Sequence, residues 1–97
     1  MDNRVCIGRV CYSKAGRDKG NIFIIKEILD ENYVLIVDGV LRKVYSPKKK
    51  KLKHLELRPE ITQTIAEKFK WNKKVFDAEI RSAIISLGYS ESNNKEM

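Results

Sequence analysis

The chain is short and strongly basic, and both properties restrict what it can be. Its 97 residues are 42% hydrophobic, which suffices for one domain, or one domain with a small appendage. It carries 20 Lys and Arg against 13 Asp and Glu, a net charge of +7. Residues 1–58 hold 14 basic and 7 acidic side chains, whereas residues 59–97 hold six of each. Such segregation favours an acidic partner, most commonly nucleic acid, over charge that serves only solubility.

Signals for membrane insertion or secretion are lacking in the sequence. No apolar run approaches the roughly 18 residues of a membrane-spanning helix. The start, Met1-Asp2-Asn3-Arg4, has no apolar signal-peptide core. Cys6 and Cys11 lack CxxC spacing and could not bridge within one extended strand. We therefore expect a cytoplasmic protein with buried or half-buried thiols.

The N-terminal part of the chain predicts two strands around a glycine-containing loop. Residues 4–12 alternate as a strand does, with Val10 and Tyr12 on one face. Gly8 is expected to mark a bend or a close approach of two backbone segments. Residues 22–29 are rich in β-branched and aromatic side chains, which predicts the second strand.

The middle of the chain predicts a hairpin and a short closing strand. Residues 33–37 are the third predicted strand, Asp38-Gly39 is a strong hairpin signal, and residues 41–45 are the expected returning strand. Three leucines predict a last short strand or 3₁₀ piece: Leu52, Leu55 and Leu57. Strands this short, joined by tight turns, indicate a mainly β fold. We predict a small antiparallel barrel of SH3-like type over residues 1–58.

Residues 59–89 predict a two-helix hairpin that follows the barrel. Pro59-Glu60 suits a helix start, and Ile61, Ile65 and Phe69 follow at helical spacing. Trp71 lies between the two predicted helices and is expected to pack and not to bind. After it comes a second apolar stripe, which is followed by Gly88. Its members are Phe76, Ile80, Ala83, Ile84 and Leu87. The sequence leaves open whether the hairpin packs on the barrel or on a partner, and residues 90–97 are expected to be a disordered tail.

The loop between the first two predicted strands combines glycine with positive charge. Its cations are Lys14, Arg17 and Lys19. Gly16 and Gly20 permit a positive φ and a close approach to another surface, which suits contact with a phosphate backbone. The loop lacks the GxxxxGK[ST] pattern of a nucleotide-binding P-loop. Asp18 is expected to hold the loop shape by pairing with Arg17 or Lys19, and the alternative is a plain hairpin turn.

The densest basic segment is residues 42–53, in which seven of twelve residues are Lys or Arg and none is acidic. The seven are Arg42, Lys43, Lys48, Lys49, Lys50, Lys51 and Lys53. Such a block repels itself, so we expect it to be mobile until an anion neutralises it. Lysine favours point-charge contacts to phosphate over the reading of base edges, which predicts affinity without much sequence preference. The alternatives are a solvated loop and a targeting signal.

No residue set in the chain indicates catalysis, a metal or a cofactor. His54 has no second His or Cys at metal-binding spacing, so a structural role or a single polar contact is expected. Neither a Ser/His/Asp nor a Cys/His set appears, and the carboxylates are scattered, so we expect no enzyme. Four aromatic residues are expected mainly in the core, with base stacking on the sheet as the alternative. They are Tyr12, Phe23, Tyr33 and Tyr45.

Val10 through Ile25, centred on Ala15-Gly16-Arg17-Asp18-Lys19-Gly20, resembles the KOW motif in the fourteen-e family of archaeal and eukaryotic large-ribosomal-subunit proteins. The likeness continues through Val37-Asp38-Gly39, Arg42-Lys43-Val44 and Lys53-His54-Leu55-Glu56-Leu57, and covers roughly residues 5–58. This resemblance implies an SH3-like barrel that binds ribosomal RNA. The residues it implies in RNA contacts are Gly16, Arg17, Lys19, Gly20, Arg42, Lys43, Lys53 and His54.

These observations predict an RNA-binding KOW-domain protein, ribosomal or ribosome-associated, that docks on structured RNA through the basic loop and the lysine-rich segment. One alternative is a protein-interaction module, either an SH3- or Tudor-like barrel that binds an acidic peptide or a helical hairpin that docks on a protein. Another is a KOW module that contacts DNA or the transcription machinery. The polymer that copurifies with the chain distinguishes the nucleic-acid readings.

Overall fold

The computed structural model describes residues 3–89, so the tail predicted for residues 90–97 lies outside the described residues. Five strands precede two helices. The strands are β1 Arg9–Ser13, β2 Ile22–Ile28, β3 Tyr33–Val37, β4 Lys48–Lys51 and β5 Leu55–Ile61. A 3₁₀ turn, Leu52–His54, joins β4 to β5, and the helices are α1 Gln63–Lys70 and α2 Asp77–Ser86. Within residues 3–89 there is no helix with the length and apolar character needed to span a membrane.

All five strands form one antiparallel sheet in the order β4-β3-β2-β1-β5. Cys11 of the inner strand β1 lies opposite Phe23 of β2 on one side and Leu57 of β5 on the other. Strands β4 and β5 are the two edges in the described part of the chain, so the sheet does not close on itself. The predicted fold class, mainly β with C-terminal helices, is confirmed, and within the described residues the predicted small antiparallel barrel is a five-stranded antiparallel sheet that is not closed.

The sheet buries apolar side chains on both of its faces, because successive residues of a strand point to opposite sides. One face carries a cluster of Val5, Cys11, Phe23, Ile25, Val34, Ile36 and Leu55. The other face packs against the helices through Val10, Ile22, Ile24, Val37, Ile65, Val75, Ile80 and Ile84. Tyr12 joins this second cluster, as its predicted position beside Val10 requires. The helices therefore pack on the chain's own sheet, which the sequence left open.

Turns at residues 3–4 and 7–8 precede β1, so the strand begins later than predicted. Gly8 has a φ of 92°, and its N–H donates to the carbonyl of Ile25 at 2.8 Å. A Cβ on Gly8 would lie 2.5 Å from the Cβ of Ala66 on α1. The close approach expected at Gly8 is confirmed, and the atoms that come close are Cα and Cβ of Ala66 on α1 and the carbonyl oxygen of Thr62.

The lysine run, and not residues 41–45, is the strand that pairs with β3. The Asp38 carboxylate accepts hydrogen bonds from the N–H groups of Val40 and Arg42, at 3.0 and 2.8 Å, and so holds a wide turn. Strand β4 then returns beside β3, with Lys50 opposite Val34. The prediction of a returning strand at 41–45 is wrong, as is that of a mobile lysine block, because the β3 ladder fixes the backbone of β4.

The helical segment also departs from the prediction at its start. Pro59-Glu60 belongs to β5, an edge strand whose ladder with β1 is irregular there, and edges and irregularities are where a strand tolerates proline. Helix α2 buries Ile80 and Ile84 of the predicted stripe, and Gly88 follows its end with a φ of 96°. Leu87 is 37% exposed, so its predicted place on the packed stripe is wrong, because it lies past the last turn of α2. Trp71 directly follows α1 and is 70% exposed, so the prediction that its ring packs is wrong.

Candidate nucleic-acid interface

The basic loop between β1 and β2 is a turn closed by its own backbone. The N–H of Gly20 donates to the carbonyl of Ser13 at 2.8 Å, and that of Lys19 to the carbonyl of Gly16 at 3.2 Å. Gly16 and Gly20 have φ values of 78° and 92°, which only glycine adopts without strain. Three cations of this loop are exposed, namely Lys14, Arg17 and Lys19. The loop thus presents positive side chains on a defined backbone.

Asp18 is buried within this loop and pairs with Arg42. Its Oδ2 lies 3.1 Å from Nη2 of Arg42, and Nε of Arg42 lies 3.3 Å from both carboxylate oxygens. The Asp18 side chain is 3% exposed and that of Arg42 is 27% exposed. The predicted pairing with Arg17 or Lys19 is wrong, because the turn directs Asp18 into the protein while both neighbours face solvent. This ion pair fixes the loop to the turn that follows β3.

The lysines of β4 have different roles because their side chains alternate across the strand. Lys50 is buried, and its Nζ donates to the carbonyl of Ala15 at 2.8 Å. Lys49 and Lys51 lie over the ring of Tyr33, with Nζ at 4.6 and 5.7 Å from its centroid. Lys50 therefore anchors the basic loop, whereas Lys49 and Lys51 contribute charge on the opposite side of the strand.

The segment that closes the sheet also contacts the loop. The N–H of Lys14 donates to the carbonyl of His54 at 2.8 Å. Lys14 and Lys53 line a shallow groove of about 400 Å³ together with Arg4 and Glu56. This groove therefore gathers three cations and one carboxylate.

Three basic segments that are distant in sequence thus meet at the loop: residues 14–20, Arg42 and residues 50–54. The contacts described above, from Asp18, Ala15 and Lys14, join them. Lys48 stands exposed at the start of β4, opposite Ile36. Lys43 lies half-buried in the wide turn, where its carbonyl accepts a hydrogen bond from the N–H of Ser46.

The aromatic residues divide between core and surface. Phe23 is fully buried, as expected, but Tyr45 is 84% exposed and does not belong to the core. Phe76, which the helical stripe placed in the core, is 57% exposed. The helical spacing did not predict this exposure, because Phe76 directly precedes the first turn of α2 and lies beyond the packed surface. Exposed aromatic rings are candidates for binding, and no local pattern in the sequence separates them from core positions.

The thiols of Cys11 and Cys6 are the groups with potential reactivity, and their surroundings are those of structural residues. Burial raises the pKa of the Cys11 thiol from 9.0 to about 12, so this thiol stays protonated at neutral pH. Cys6 is half-buried, and both cysteines are unbridged. Within the described part of the chain, no three His, Cys, Asp or Glu side chains come together as metal ligands would.

Curated relatives of the chain are archaeal ribosomal proteins. Large ribosomal subunit protein eL14 of Methanococcus maripaludis strain C7 is 44% identical over 50 residues, which are 52% of this chain and 58% of the relative. The protein of the same name from Methanococcus vannielii is 40% identical over the same shares. The chain therefore spans about 58% of the length of these Methanococcus relatives. No protein-family model matches the chain, so the KOW motif stays a prediction.

A longer match extends the similarity into the helices. Large ribosomal subunit protein eL14 of Staphylothermus marinus is 29% identical over 85 residues, 88% of this chain and 81% of the relative. A match that long within 97 residues must include residues 13–85, and so reaches beyond residues 5–58 into α2. On both the shorter and the longer match, this chain resembles the archaeal large ribosomal subunit protein eL14.

Proposed function

We propose that this chain is a non-catalytic RNA-binding protein of the ribosome, or associated with it, and that it docks on structured ribosomal RNA in the cytoplasm. The observation that carries the proposal is the convergence of distant basic segments on one loop through the Asp18–Arg42 and Lys50–Ala15 contacts. The ribosomal relatives support the choice of RNA over other polyanions.

The geometry supports a division of labour among the proposed interface residues. Exposed cations contact phosphates directly, because their ammonium and guanidinium groups reach solvent: Lys14, Arg17, Lys19, Lys48, Lys49 and Lys53. The remaining residues contribute partly exposed charge or hold the loop in place: Gly16, Gly20, Arg42, Lys43, Lys50, Lys51 and His54.

Such binding is driven by the release of counterions from the RNA. If about five phosphates are neutralised, the logarithm of the affinity falls with the logarithm of salt concentration at a slope of about −4. Point-charge contacts of this kind recognise the shape of the folded backbone more than its base sequence. An affinity that does not respond to salt would contradict this mechanism.

The decisive experiment compares two lysine variants of equal charge. Lys19→Glu changes the basic loop, and Lys70→Glu changes an exposed lysine at the end of α1. Each lowers the net charge of +7 by two. We expect Lys19→Glu to weaken binding to a large-subunit ribosomal RNA transcript about tenfold and to reduce the salt slope by about one. Lys70→Glu should leave both nearly unchanged, as fluorescence anisotropy across a salt series would show.

Equal losses in both variants would mean that net charge, and not the basic loop, determines the affinity, and would contradict the proposal. A cellular readout is the position of each variant in a sucrose gradient, combined with crosslinking and sequencing of the attached RNA. The intact chain and Lys70→Glu should sediment with ribosomal particles, and Lys19→Glu should be depleted from them.

A protein-interaction role is the second candidate, because α2 and its end expose two apolar side chains. Ile85 is 44% exposed and Leu87 is 37% exposed. If this role is the correct one, Lys19→Glu leaves capture of the partner intact, while Ile85→Ser combined with Leu87→Ser abolishes it.

A further inference from the structure

A second concave surface lies between the wide turn after β3 and the segment that joins the two helices. It is a groove of about 410 Å³, within the range of about 300–1,000 Å³ typical of small-molecule sites. Its base is apolar, since Val75 is buried and Val44 and Phe69 pack against the cluster between the sheet and the helices. None of its lining residues belongs to the interface proposed above.

Two exposed aromatic rings line this groove, those of Tyr45 and Phe76. The backbone beside Tyr45 is held from both sides. The N–H of Val44 donates to Oδ1 of Asp77 at 2.8 Å, and the carbonyl of Val44 accepts from Nζ of Lys26 at 3.2 Å. The N–H of Phe76 donates to the carboxylate of Glu79 at 3.0 Å. Both rings are therefore presented by fixed backbone, and the groove is preformed.

The charge of the groove is positive. Three lysines line it, Lys26, Lys73 and Lys74, against the single carboxylate of Asp77. That carboxylate already accepts the hydrogen bond from Val44. Nζ of Lys74 lies 5.2 Å from the centroid of the Phe76 ring, so charge and aromatic surface occur side by side.

This combination distinguishes between possible occupants. An apolar peptide would use the rings but not the lysines, and an acidic peptide would use the lysines but not the rings. An unpaired nucleotide uses both, since its base stacks on aromatic faces while its phosphates meet lysine. The groove is also adjacent in the chain to the proposed interface, because Val44 directly follows Lys43.

We propose that this groove binds an unpaired base of RNA, stacked against Tyr45 and Phe76, with Lys73 and Lys74 at the flanking phosphates. The proposal rests on the proposed function in that RNA is the partner, but it assigns a separate site and a different mode of recognition. Stacking is tolerant of sequence because every base has a π-face, so the site selects single-stranded over paired nucleotides.

The test uses the full chain and three labelled probes: an oligouridylate, the same ribose-phosphate backbone without bases, and an RNA duplex without unpaired bases. The groove variant combines Tyr45→Ser with Phe76→Ser. Its matched control combines Leu29→Ser with Ile85→Ser, which are also exposed apolar positions. We expect the groove variant to bind oligouridylate about tenfold or more weakly than the control. Duplex binding should be unchanged in both.

Two results would overturn the inference: equal binding of the base-free probe and oligouridylate by the intact chain, or equal oligouridylate binding by groove variant and control. The proposed function is judged separately, by how much more weakly Lys19→Glu binds the RNA duplex than the intact chain does. Failure of the groove proposal therefore leaves the proposed function intact.

A second measurement needs no variant and so does not depend on folding of a mutant. Oligouridylate that contains 4-thiouridine is photocrosslinked to the intact chain, and the modified peptides are identified by mass spectrometry. Adducts are expected at Tyr45 or within residues 69–77. Adducts confined to residues 14–20 and 48–53 would overturn the inference, as would a protein partner that occupies the groove while oligouridylate does not bind.

Discussion

Gly8 and Gly20 adopt the same backbone conformation in very different surroundings. Both have a φ of 92°, a region that L-residues with a Cβ rarely occupy. A Cβ on Gly8 would overlap Ala66, at 2.5 Å from its Cβ, whereas nothing lies within 4 Å of a Cβ on Gly20. The pair therefore separates the cost of the conformation from the cost of a steric clash.

We expect Gly20→Ala to lower the free energy of unfolding by about 1–2 kcal/mol, the cost of a left-handed conformation. Gly8→Ala should lower it by about 1–3 kcal/mol more, because α1 must shift away from β1. Urea unfolding of both variants measures the difference. Equal losses would mean that the contact between Gly8 and α1 is not close in solution.

The buried carboxylate of Asp18 gives a second prediction at this scale. Asp18→Asn removes the charge that Arg42 pairs with and keeps the size of the side chain, so we expect a loss of about 1–3 kcal/mol in the free energy of unfolding. Glu31→Gln, the same change at an exposed position, should stay within about 0.5 kcal/mol of the unaltered chain. Matching stabilities of the two variants in urea unfolding would show that the ion pair does not hold the loop.

At the scale of elements, an ion pair joins the two helices. Lys68 of α1 donates to the Glu79 carboxylate of α2, and the N–H of Phe76 donates to it as well. The pKa of Glu79 lies below its ordinary value of 4.5. The hydrogen bond from Lys68 is the larger cause and the hydrogen bond from the N–H of Phe76 is the smaller. A carboxyl with a lowered pKa in the folded state stabilises the fold above its unfolded pKa, and this stabilisation is lost as the pH falls through the folded pKa.

Glu79→Gln is therefore expected to be less stable than the unaltered chain at pH 7, with a difference that disappears well below pH 4.5. Glu27→Gln, the same change of charge at an exposed position of β2, serves as the control for net charge. The measurement is urea unfolding of all three proteins across this pH range. A difference that persists at the lowest pH would contradict the assignment to the Lys68–Glu79 pair.

The elements also show where sequence patterns succeed and where they fail. Strand β3, Tyr33–Val37, coincides with its prediction because β-branched residues and the flanking turns agree. Strand β4 was missed because lysine has a low intrinsic preference for strands, and only the edge offered by β3 makes Lys48–Lys51 extend. Charged edge strands are common because they discourage pairing with other molecules. Local composition cannot reveal a strand that depends on its partner.

At the scale of the whole molecule, sheet and helices share one core. Four sheet residues and four residues of the helical segment form the cluster that includes Ile80. Ile80 is fully buried, whereas Ile85, on the same helix, is 44% exposed. The sheet cannot bury its second face without the helices, so we expect both parts to unfold together.

Ile80→Ala is expected to lower the free energy of unfolding by about 2–5 kcal/mol, since it leaves a cavity in the shared core. Ile85→Ala should change it by less than about 0.5 kcal/mol. In Ile80→Ala, the free energy of opening measured by hydrogen exchange at the amides of Phe23 and Ile24 should fall by as much as the free energy of unfolding measured with denaturant. Unchanged protection of these sheet amides would show that the helices unfold independently.

The candidate interface was predictable in composition but not in arrangement. Gly16, Gly20 and the basic residues around them stand out in the sequence because turn chemistry and charge are local properties. The pairing of Asp18 with Arg42 and the anchoring role of Lys50 depend on β4 lying beside the loop, which local patterns do not specify. The groove at Tyr45 was missed for the same reason, since it is assembled from the wide turn and the segment between the helices.

Because the Cys11 thiol is deeply buried, the rate of its chemical modification measures how often the fold opens. An alkylating reagent needs the thiolate, and a pKa of about 12 at a fully buried position prevents both ionisation of Cys11 and access of the reagent while the sheet is intact. Modification of Cys11 at neutral pH therefore proceeds only through molecules in which β1 has separated from its neighbours β2 and β5. Its rate in the presence and absence of bound RNA would report directly how much the ligand suppresses those excursions, without any added label.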